Sequence, residues 1–369
     1  MAPDDSPAAT LAGVMLREQL QLKKDENLIV ETWNHTLPYA AACVVEARRI
    51  GAHPVLVLED EGAYFRSLQI GASTASWARV GTHEWALLSK TQAYVFFPGP
   101  SDRGMVDTLG PTQRQGIPSS NQGWVRKARS ARVRGVRSVL GYASEPEAER
   151  YGVALPTWRG QLIAGTTQAD LSAMKSDAQR VRLALKTGKV LRITAANGTD
   201  FQVRLRGREP YADDGVVRPD DVSAGRIMTT APPGYVGVAI DEHSAEGMAI
   251  ANRPSFLLSG RVEGGQWEMQ GGHLTNFWYT EGQNVFENGY SKAGKGRDVI
   301  SFVSVGINSA LPPGVPRVED QEAGAVALGV GGNVPWGGSN RSPFVSYIVM
   351  GEATIAVDGK PLLDRGKVL

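Results

Sequence analysis

Short apolar runs alternate with a helix-like segment in the first part of the chain. The apolar runs occur at Leu28–Trp33, Pro54–Asp60, Ala93–Gly99 and Ser138–Ala143, and an alanine-rich segment, Pro38–Ile50, separates the first two. Runs of this length and composition predict strands, and the segment between them has the length of a helix. A strand, a helix and a strand within about thirty-five residues form the crossover unit of a parallel sheet. The pattern therefore predicts an open parallel α/β domain.

The pattern changes after a second long amphipathic segment, Ala169–Lys186, which predicts a helix that ends near Gly188. Polar and apolar residues then alternate on both sides of an Asn-Gly pair in KVLRITAANGTDFQVRLRGR, which predicts a β-hairpin. Alternation interrupted by glycines continues to the C-terminus. We therefore expect an N-terminal α/β domain over residues 1–188. A β-rich domain that carries the functional site is expected over residues 189–369.

Composition narrows the class of protein. The chain has 369 residues, enough for two domains, and 42% hydrophobic with 21% charged residues is typical of globular proteins. A net charge of +1 gives no general attraction to nucleic acid or anionic membranes. No apolar run is long enough to span a membrane, and the acidic start of the chain is not a secretory signal. We expect a cytoplasmic protein without nucleic-acid or membrane partners.

Two local features suggest binding functions that the rest of the chain does not favour. Neither G-x-G-x-x-G nor G-x-x-x-x-G-K-S occurs, so the α/β domain lacks a phosphate-binding motif. Six basic residues lie between Arg126 and Arg137, on a predicted helix. They indicate either an anion-binding patch or a solvated helix face, and a single patch in a neutral protein favours the solvated face. The single Cys43 lies in an apolar run and is expected to be buried and reduced.

Five segments of the second half carry a resemblance to a known family. In order, they are Asn197–Arg208, Ala224–Pro232, Glu242–Gly247, Ser301–Ser309 and Asp320–Gly359. Together they resemble the metal-dependent aminopeptidase family typified by aminopeptidase T. The resemblance implies an aminopeptidase T-like C-terminal domain, a small-molecule substrate and a homodimer. Members of that family hold two divalent metals with two glutamates, two histidines and an aspartate, a set suited to activating water.

This chain departs from the family at every metal-ligand position. Matched motif by motif, the five positions hold Arg226, Phe302, Ala327, Val345 and Tyr347. One ligand has become a cation, which repels a metal. A related iron-dependent dioxygenase that opens a dihydroxypyridine ring keeps an H-x-D pair at the last two positions, and this chain lacks that pair as well. The resemblance therefore implies the scaffold without its metal centre.

Several positions outside the ligand set still match the family motifs. They are Gly306, Asn308, Gly324, Asn340, Ser342, Asp358 and Gly359. Their retention beside five lost ligands indicates that the scaffold persists while the metal chemistry has gone. We therefore expect no cofactor and no metal at the original ligand positions.

The polar residues near these motifs supply candidates for catalysis. His243 stands where the family tends to have an acid, and it is either a base near neutral pH or a histidine on a surface loop. Asp320 and Glu322 precede the strand that lost a histidine, and they are either bases or loop acids. Tyr347 at a former ligand position can donate a hydrogen bond. These four are the expected catalytic residues.

A second group is expected to bind substrate. Arg226 at a former ligand position would bind a carboxylate or oxyanion, unless it points to solvent. Trp336 in a glycine-rich loop is either a stacking wall for a planar substrate or a packing residue. His273 follows two glycines, and a turn histidine bonded to backbone is its favoured interpretation. The full expected group is Arg226, His273, Phe302, Ser346, Trp336 and Asn340.

Three functions follow from these residues. The leading hypothesis is a metal-independent hydrolase that acts on a small planar or carboxylated, possibly heteroaromatic, molecule. The first alternative is a metal-dependent aminopeptidase or ring-cleaving dioxygenase with relocated ligands, in which His243 and His273 converge with Asp320 or Glu322. The second alternative is a non-catalytic binding homologue.

Overall fold

The computed structural model describes residues 6–70, 81–108 and 123–369. These residues form two compact units, and neither unit is a single continuous stretch of sequence. The first unit comprises the described residues of Met1–Glu149 with Val153–Thr167 and Gly215–Pro232. The second comprises Arg150–Gly152, Gln168–Asp214 and Pro233–Leu369. A segment from beyond residue 188 therefore belongs to the α/β unit, and the long helix before Gly188 belongs to the β-rich one.

The strands are numbered in chain order. They are β1 (Asn27–Trp33), β2 (His53–Glu59), β3 (Ala93–Phe96), β4 (Arg134–Ser138), β5 (Val190–Thr194), β6 (Asp200–Arg204), β7 (Tyr211–Asp213), β8 (Met228–Ala231), β9 (Tyr235–Ala239), β10 (Glu246–Ile250), β11 (Ser255–Leu257), β12 (Gly260–Val262), β13 (Gln266–Gln270), β14 (His273–Trp278), β15 (Ile300–Gly306), β16 (Val326–Gly331), β17 (Val345–Met350), β18 (Thr354–Val357), β19 (Lys360–Asp364) and β20 (Lys367–Val368).

The α-helices are described by their bounds. They are Pro7–Gly13, Leu37–Ile50, Glu61–Gln69, Thr82–Leu88, residues 123–131, Glu145–Tyr151, Leu155–Thr167, Leu171–Thr187, Pro219–Ser223 and Gln283–Lys292. A π-helical turn spans Val14–Gln19, and 3₁₀ turns span Asn34–Thr36, Arg103–Thr108, Val139–Tyr142 and Val334–Trp336. Within the described residues, no helix is both long and apolar enough to cross a membrane.

The first unit contains a parallel sheet in the order β2-β1-β3-β4-β8. Every pairing in it is parallel, from Leu28 opposite Pro54 at one edge to Val136 opposite Thr229 at the other. The helix Leu37–Ile50 connects β1 to β2 and ends at Gly51, whose φ of 87° is a left-handed cap that glycine adopts without strain. The prediction of an open parallel α/β domain is confirmed.

The predicted strand at Ser138–Ala143 is wrong. The strand is β4, which ends at Ser138, and the residues after it turn into the 3₁₀ helix Val139–Tyr142. The register decides this boundary, because β4 pairs with β3 and β8 only over Arg134–Ser138. Val139 and Leu140 are buried beyond the sheet, so their apolar character marks core packing rather than strand.

The basic residues from Arg126 to Arg137 do not share one helix face. The helix ends at residue 131, Arg132 takes a left-handed φ of 56°, and the remaining arginines lie in β4. Arg134 is bound to Glu26 at 2.7 Å, and the Lys127 ammonium lies 4.2 Å from the centre of the Trp85 ring. Basic residues of this segment therefore have partners within the first unit. This favours a structural role for them over a common anion-binding patch.

A carboxyl group lies inside the first unit where the sequence pattern shows only a strand. Glu31 of β1 accepts a hydrogen bond from the Tyr94 hydroxyl of β3. Burial raises the pKa of Glu31 to about 7, against the hydrogen bond from Tyr94, and the nearby carboxylates of Glu59 and Glu84 raise it further. The folded state therefore holds a proton that the unfolded chain releases at lower pH.

We expect Glu31→Gln to stabilise the protein at pH 8 and to have little effect at pH 4.5. Because the pKa of Glu31 is about 7 in the folded state against an ordinary 4.5, wild-type stability falls as pH rises through that interval. The glutamine does not titrate and keeps an acceptor for Tyr94. A gain of about 1–3 kcal/mol at pH 8 in urea unfolding is expected. Exposed Glu149→Gln is the matched control, and equal gains for the two variants at pH 8 would contradict the prediction.

The second unit is built around antiparallel sheets. One sheet has the order β14-β13-β10-β6-β5-β18-β19-β20, and another has the order β17-β16-β15-β9-β7. Apolar residues of both sheets form one core with the helix Leu171–Thr187, including Phe201, Trp267 and Leu328. Buried and exposed residues alternate in β6 and β13, as the period of two in the sequence predicts, whereas every residue of the central strands β15 and β16 is buried. The prediction of a β-rich second part of the chain is confirmed.

Candidate functional site

Four of the five positions that the sequence comparison matched to family ligands lie on one face of three adjacent strands. Phe302 is on β15, Ala327 on β16, and Val345 and Tyr347 on β17. Their neighbours in the strands, such as Val303, point into the core on the other side of the sheet. Because side chains alternate along a strand, the four positions share the opposite face. The fifth position, Arg226, belongs to the first unit.

Three aromatic rings pack together on this face around one alanine. We call this cluster the aromatic face, and it consists of Phe302, Trp336, Tyr347 and Ala327. The Phe302 ring stacks on Trp336 with centroids 4.6 Å apart and planes inclined by 20°. The centroid of the Tyr347 ring lies 6.4 Å from that of Phe302. Glycine is required at position 329, because a Cβ there would lie 2.2 Å from Phe302 Cε1. The absence of a side chain at position 329 thus leaves room for the Phe302 ring.

A buried carboxyl group adjoins the aromatic face. The Tyr347 hydroxyl donates to Glu319 Oε1 at 2.7 Å, and the backbone N–H of Phe256 donates to the same oxygen at 2.9 Å. Glu319 is fully buried, and its Oε2 has no hydrogen-bond partner in the described part of the chain. Burial raises the pKa of Glu319, although both hydrogen bonds lower it. Burial likewise places the pKa of Tyr347 well above its usual range.

The residues of this face do not fit a pair of divalent metals. Phenylalanine, alanine and valine have no donor atom, and the Tyr347 hydroxyl is already bound to Glu319. Across residues 6–70, 81–108 and 123–369, no three His, Cys, Asp or Glu side chains are grouped so as to hold a metal ion. We therefore derive no chemical step through a metal.

Arg226 has a partner inside the first unit. Its guanidinium donates to Asp221 Oδ1 through Nε at 3.2 Å and through Nη2 at 2.9 Å. The side chain is partly exposed, in the turn between the helix Pro219–Ser223 and β8. Its role in binding a substrate anion stays a prediction, and it requires the pair with Asp221 to open or to be shared.

His243 is an exposed residue in a loop whose two acids are buried and bound to arginines. Asp241 is bound to Arg204 and Arg206, and it also accepts from the His243 backbone N–H. The histidine ring itself is exposed. The loop is therefore held in shape by ion pairs on the flank of His243. Its role as a catalytic base stays a prediction.

The Glu242 carboxylate accepts hydrogen bonds from several residues. Arg208 Nη2 donates to both of its oxygens at 2.9 and 2.8 Å, and Asn333 Nδ2 donates to Oε1 at 3.0 Å. Burial alone would raise the pKa of Glu242, but the hydrogen bonds from Arg208, Asn333 and Ser339 lower it to about 2. This carboxylate stays ionised at neutral pH and links the loop to the segment before β17.

The remaining acids and the second histidine are distributed over separate contacts. The Glu322 carboxylate accepts hydrogen bonds from the Arg253 guanidinium at 3.2 Å and from the Gly314 backbone N–H, so its charge is paired with that of Arg253. Asp320 is half-buried, and its charge acts on Tyr347. His273 opens β14, and its Nδ1 lies 2.7 Å from Asp298, so its partner is a carboxylate instead of the expected backbone group.

Two expected substrate-binding residues lie elsewhere than on the aromatic face. Ser346 is buried on the core side of β17, next to Tyr347 in sequence but facing the opposite way. Asn340 donates through Nδ2 to the carbonyls of Gly296 and Gly331, which fixes the loop before β17. Of the ten expected site residues, the structure joins Phe302, Trp336 and Tyr347 by ring contacts and adds Glu319, which sequence reasoning missed. The signal for Glu319 was slight, a glutamate next to the candidate Asp320.

The retained motif residues have structural roles. A Cβ at Gly306 would lie 2.0 Å from the Glu322 carbonyl, and Gly324 has a φ of 84° against the backbone of Gly366. Asn308 is buried and donates to the Pro233 carbonyl at 2.7 Å. Asp358 accepts from the backbone N–H groups of Lys189 and Val190. These positions shape turns and close backbone approaches, which gives each of them a role in the fold itself.

Comparisons with known proteins show the fold. No family model matches the sequence, and no curated protein does. The structure is similar to wild-type AmpT of Thermus thermophilus, with a TM-score of 0.71 and 17% identity over 98% of this chain and 99% of that one. The fold is aminopeptidase T-like. It is also similar to a 2,5-dihydroxypyridine dioxygenase of Pseudomonas putida KT2440, with a TM-score of 0.65 and 15% identity over 100% of this chain and 98% of that one.

Both similar structures are named as enzymes, one an aminopeptidase by its family and the other a dioxygenase. At 15 and 17% identity the likeness describes the scaffold and leaves the reaction open. A hydrolase or a ring-cleaving enzyme is therefore compatible with the fold. The residues on the aromatic face must decide between them.

Proposed function

We propose that this chain is a hydrolase that acts on a small planar or carboxylated molecule without the metal pair of the aminopeptidases. The observation that carries the proposal is the buried pair of Tyr347 and Glu319 beside stacked rings. Tyr347 stands at a position where the family motif has a metal ligand, and its hydroxyl is bound to a carboxyl group whose pKa burial raises. A perturbed carboxyl group at such a position is a typical candidate for acid–base chemistry.

Glu319 has the properties of a general base. A base works best when its pKa lies nearer the working pH than an ordinary carboxylate does, and burial moves Glu319 in that direction. Oε1 is occupied by Tyr347 and Phe256, whereas Oε2 is the oxygen left to accept a proton. The two hydrogen bonds hold the carboxylate in one orientation.

The proposed reaction needs only water, the substrate and the carboxyl group of Glu319. Ionised Glu319 takes a proton from water through Oε2 as the water oxygen bonds to the substrate carbonyl carbon. The protonated carboxyl then returns that proton to the leaving nitrogen or oxygen atom as the scissile bond breaks. The Tyr347 hydroxyl keeps donating to Oε1 and holds the carboxyl group in position during both proton transfers. Phe302 and Trp336 supply apolar ring surface against which a planar substrate packs.

The test is hydrolysis by protein purified without added metal, in the presence of EDTA. A panel of 4-nitroanilides and 4-nitrophenyl esters of aromatic and dicarboxylic acids supplies planar, chromogenic probes. We expect turnover that EDTA leaves unchanged, and less than one equivalent of zinc, cobalt, manganese or iron by elemental analysis. Stoichiometric metal together with loss of turnover in EDTA would overturn metal independence and favour relocated ligands.

A binding function is the second candidate, and one observation favours it. Phe302 is buried against Trp336 and fills space on the face where the family motifs place metal ligands. Such a face can retain a planar ligand while lacking room for chemistry. Saturable binding of a non-turned-over panel member, measured by calorimetry, would favour this candidate over hydrolysis.

A further inference from the structure

The parallel sheet of the first unit has a topological switch point. The chain adds β2 on one side of β1 and then crosses to place β3, β4 and β8 on the other side. The connections on the two sides of β1 therefore diverge at the carboxyl ends of β1 and β3. In open α/β sheets, ligands bind in the crevice outside these ends. The proposed hydrolase site lies in the second unit and makes no use of this place.

Loops from three strands converge there. Trp33 is the last residue of β1 and His35 follows the strand. The imidazole Nε2 of His35 lies 2.8 Å from the carbonyl oxygen of Gly141, which follows β4. The loop after β3 reaches the same place, because a Cβ at Gly99 would lie 2.4 Å from the Trp33 ring. Tyr64 packs edge-on against Trp33 with ring centroids 5.0 Å apart. The residues that meet are aromatic and closely packed.

Two polar atoms at this place are buried without a hydrogen-bond partner among the described residues. They are the indole Nε1 of Trp33 and the imidazole Nδ1 of His35. Trp33 is only 6% exposed. An unpaired buried polar group is costly because it has lost its bonds to water, and native structures rarely leave one without a protein, water or ligand partner. Two such atoms on residues separated by one position indicate that another molecule completes the site.

The geometry fixes what each nitrogen offers. A carbonyl oxygen only accepts, so His35 Nε2 carries the proton that is donated to Gly141. Burial lowers the pKa of His35, so the ring is neutral and Nδ1 presents a lone pair. The indole Nε1 of Trp33 is always a donor. The place therefore presents one donor and one acceptor beside aromatic surfaces.

We propose that the switch point of the first unit is a second ligand site, at which Trp33 and His35 bind a small, uncharged planar molecule. Such a ligand carries both an acceptor for Trp33 Nε1 and a donor for His35 Nδ1, as a primary amide or a lactam does. A carboxylate fits less well, because it presents only lone pairs to the lone pair of His35. An apolar ring of the same size leaves both nitrogens unpaired.

The experiment uses the full-length protein and three matched probes: benzamide, benzoate and toluene. Binding is measured by the shift in Tm and by the ¹⁵N signal of labelled histidine. Benzamide is expected to raise the Tm and to move the His35 Nδ1 signal upfield, as hydrogen bonding to a lone pair does. Benzoate is expected to bind at least about fivefold more weakly, which corresponds to the loss of one hydrogen bond.

Trp33→Phe tests the donor while it keeps an aromatic ring in place. This variant is expected to weaken benzamide binding about five- to tenfold, in proportion to one hydrogen bond. Trp278→Phe is the matched control, since Trp278 is a half-exposed residue of the second unit, and it should bind benzamide like the wild type. If Trp33→Phe does not fold, the histidine signal of the wild-type protein decides the question alone.

The proposal is overturned if benzamide leaves both the Tm and the His35 signal of the wild-type protein unchanged. In that case ordered water alone serves the two nitrogens. Equal benzamide affinities of the wild type and a folded Trp33→Phe variant would also overturn it, since the indole N–H would then have no part in binding.

Discussion

Replacing Glu319 by glutamine is expected to lower kcat by about 10²–10⁴, the usual effect of losing a general base. Glutamine keeps the size of the side chain and an oxygen that accepts from Tyr347 and Phe256, so the packing of the buried site is retained. KM should change little, because the carboxyl group is proposed to act on water. The measurement is steady-state hydrolysis of the nitroanilide or nitrophenyl ester that the wild-type protein turns over.

A second variant separates a catalytic role for Glu319 from a structural one. Tyr347→Phe removes a hydrogen bond that lowers the pKa of Glu319, so that pKa should rise. The base must be ionised to act, and activity falls as pH drops through its pKa. The acid limb of the kcat profile should therefore move to higher pH in Tyr347→Phe. An unmoved limb, or a Glu319→Gln enzyme as active as the exposed control Glu268→Gln, would contradict the proposal.

The same measurements decide the role of His243. If the exposed histidine is the base, His243→Ala should lose as much activity as Glu319→Gln was expected to lose, and the acid limb should follow an imidazole. If Glu319 is the base, His243→Ala should cost less than about tenfold. Glu322→Ala and Asp320→Ala complete the comparison among the acids and bases that the sequence suggested.

Arg208→Met should destabilise the protein by about 3 kcal/mol at pH 7. The substitution leaves Glu242 ionised and buried without the guanidinium that binds both of its oxygens. Breaking a buried ion pair from one side typically costs about 3–5 kcal/mol. The remaining bonds from Asn333 and Ser339 offset part of this loss. Urea unfolding at constant pH measures the change.

The matched control is Arg204, the last residue of β6, and Arg208 follows that strand four residues later. Arg204→Met removes an arginine whose side chain is 62% exposed and should cost about 1 kcal/mol or less. Acid provides a second check. The pKa of Glu242 is about 2 in the folded state against an ordinary 4.5, so its stabilisation is present above pH 4.5 and is lost as pH falls toward 2. The difference between wild type and Arg208→Met should shrink over that interval, and a constant difference would contradict the assignment.

The sequence predicted elements well where the local pattern and the tertiary environment agree. The β1 strand, the helix that follows it and the hairpin of β5 and β6 all have periodicities that match their final burial. Gly51 and the Asn-Gly turn mark their ends, because the backbone conformation there restricts the residue type. The prediction of a strand after Ser138 was wrong, because apolar residues that are buried beyond the end of a sheet give the same sequence pattern as apolar residues buried within a strand.

The motif comparison located the aromatic face but not its chemistry. Phe302, Ala327 and Tyr347 were placed by their match to ligand positions, and β15, β16 and β17 bring them to one face. Glu319 escaped notice because nothing local distinguishes it from its neighbour Asp320. Only the hydrogen bond from Tyr347, 28 residues away in sequence, identifies it. Similarly, Arg226 and Glu322 looked available for binding until Asp221 and Arg253 were found beside them.

The sequence by itself determined the fold class, because strand and helix periodicities, turn glycines and retained motif residues are local properties that tertiary structure reinforces. That the five matched positions have lost metal ligands stays a prediction of the motif comparison. Only the tertiary structure decided which polar groups have an ion-pair or hydrogen-bond partner and which have atoms left without one. Ion pairs and buried hydrogen bonds join residues that are distant in the chain, so their pKa values and their availability for chemistry depend on burial and on partners. That is why Glu319, Trp33 and His35 emerged from the fold alone.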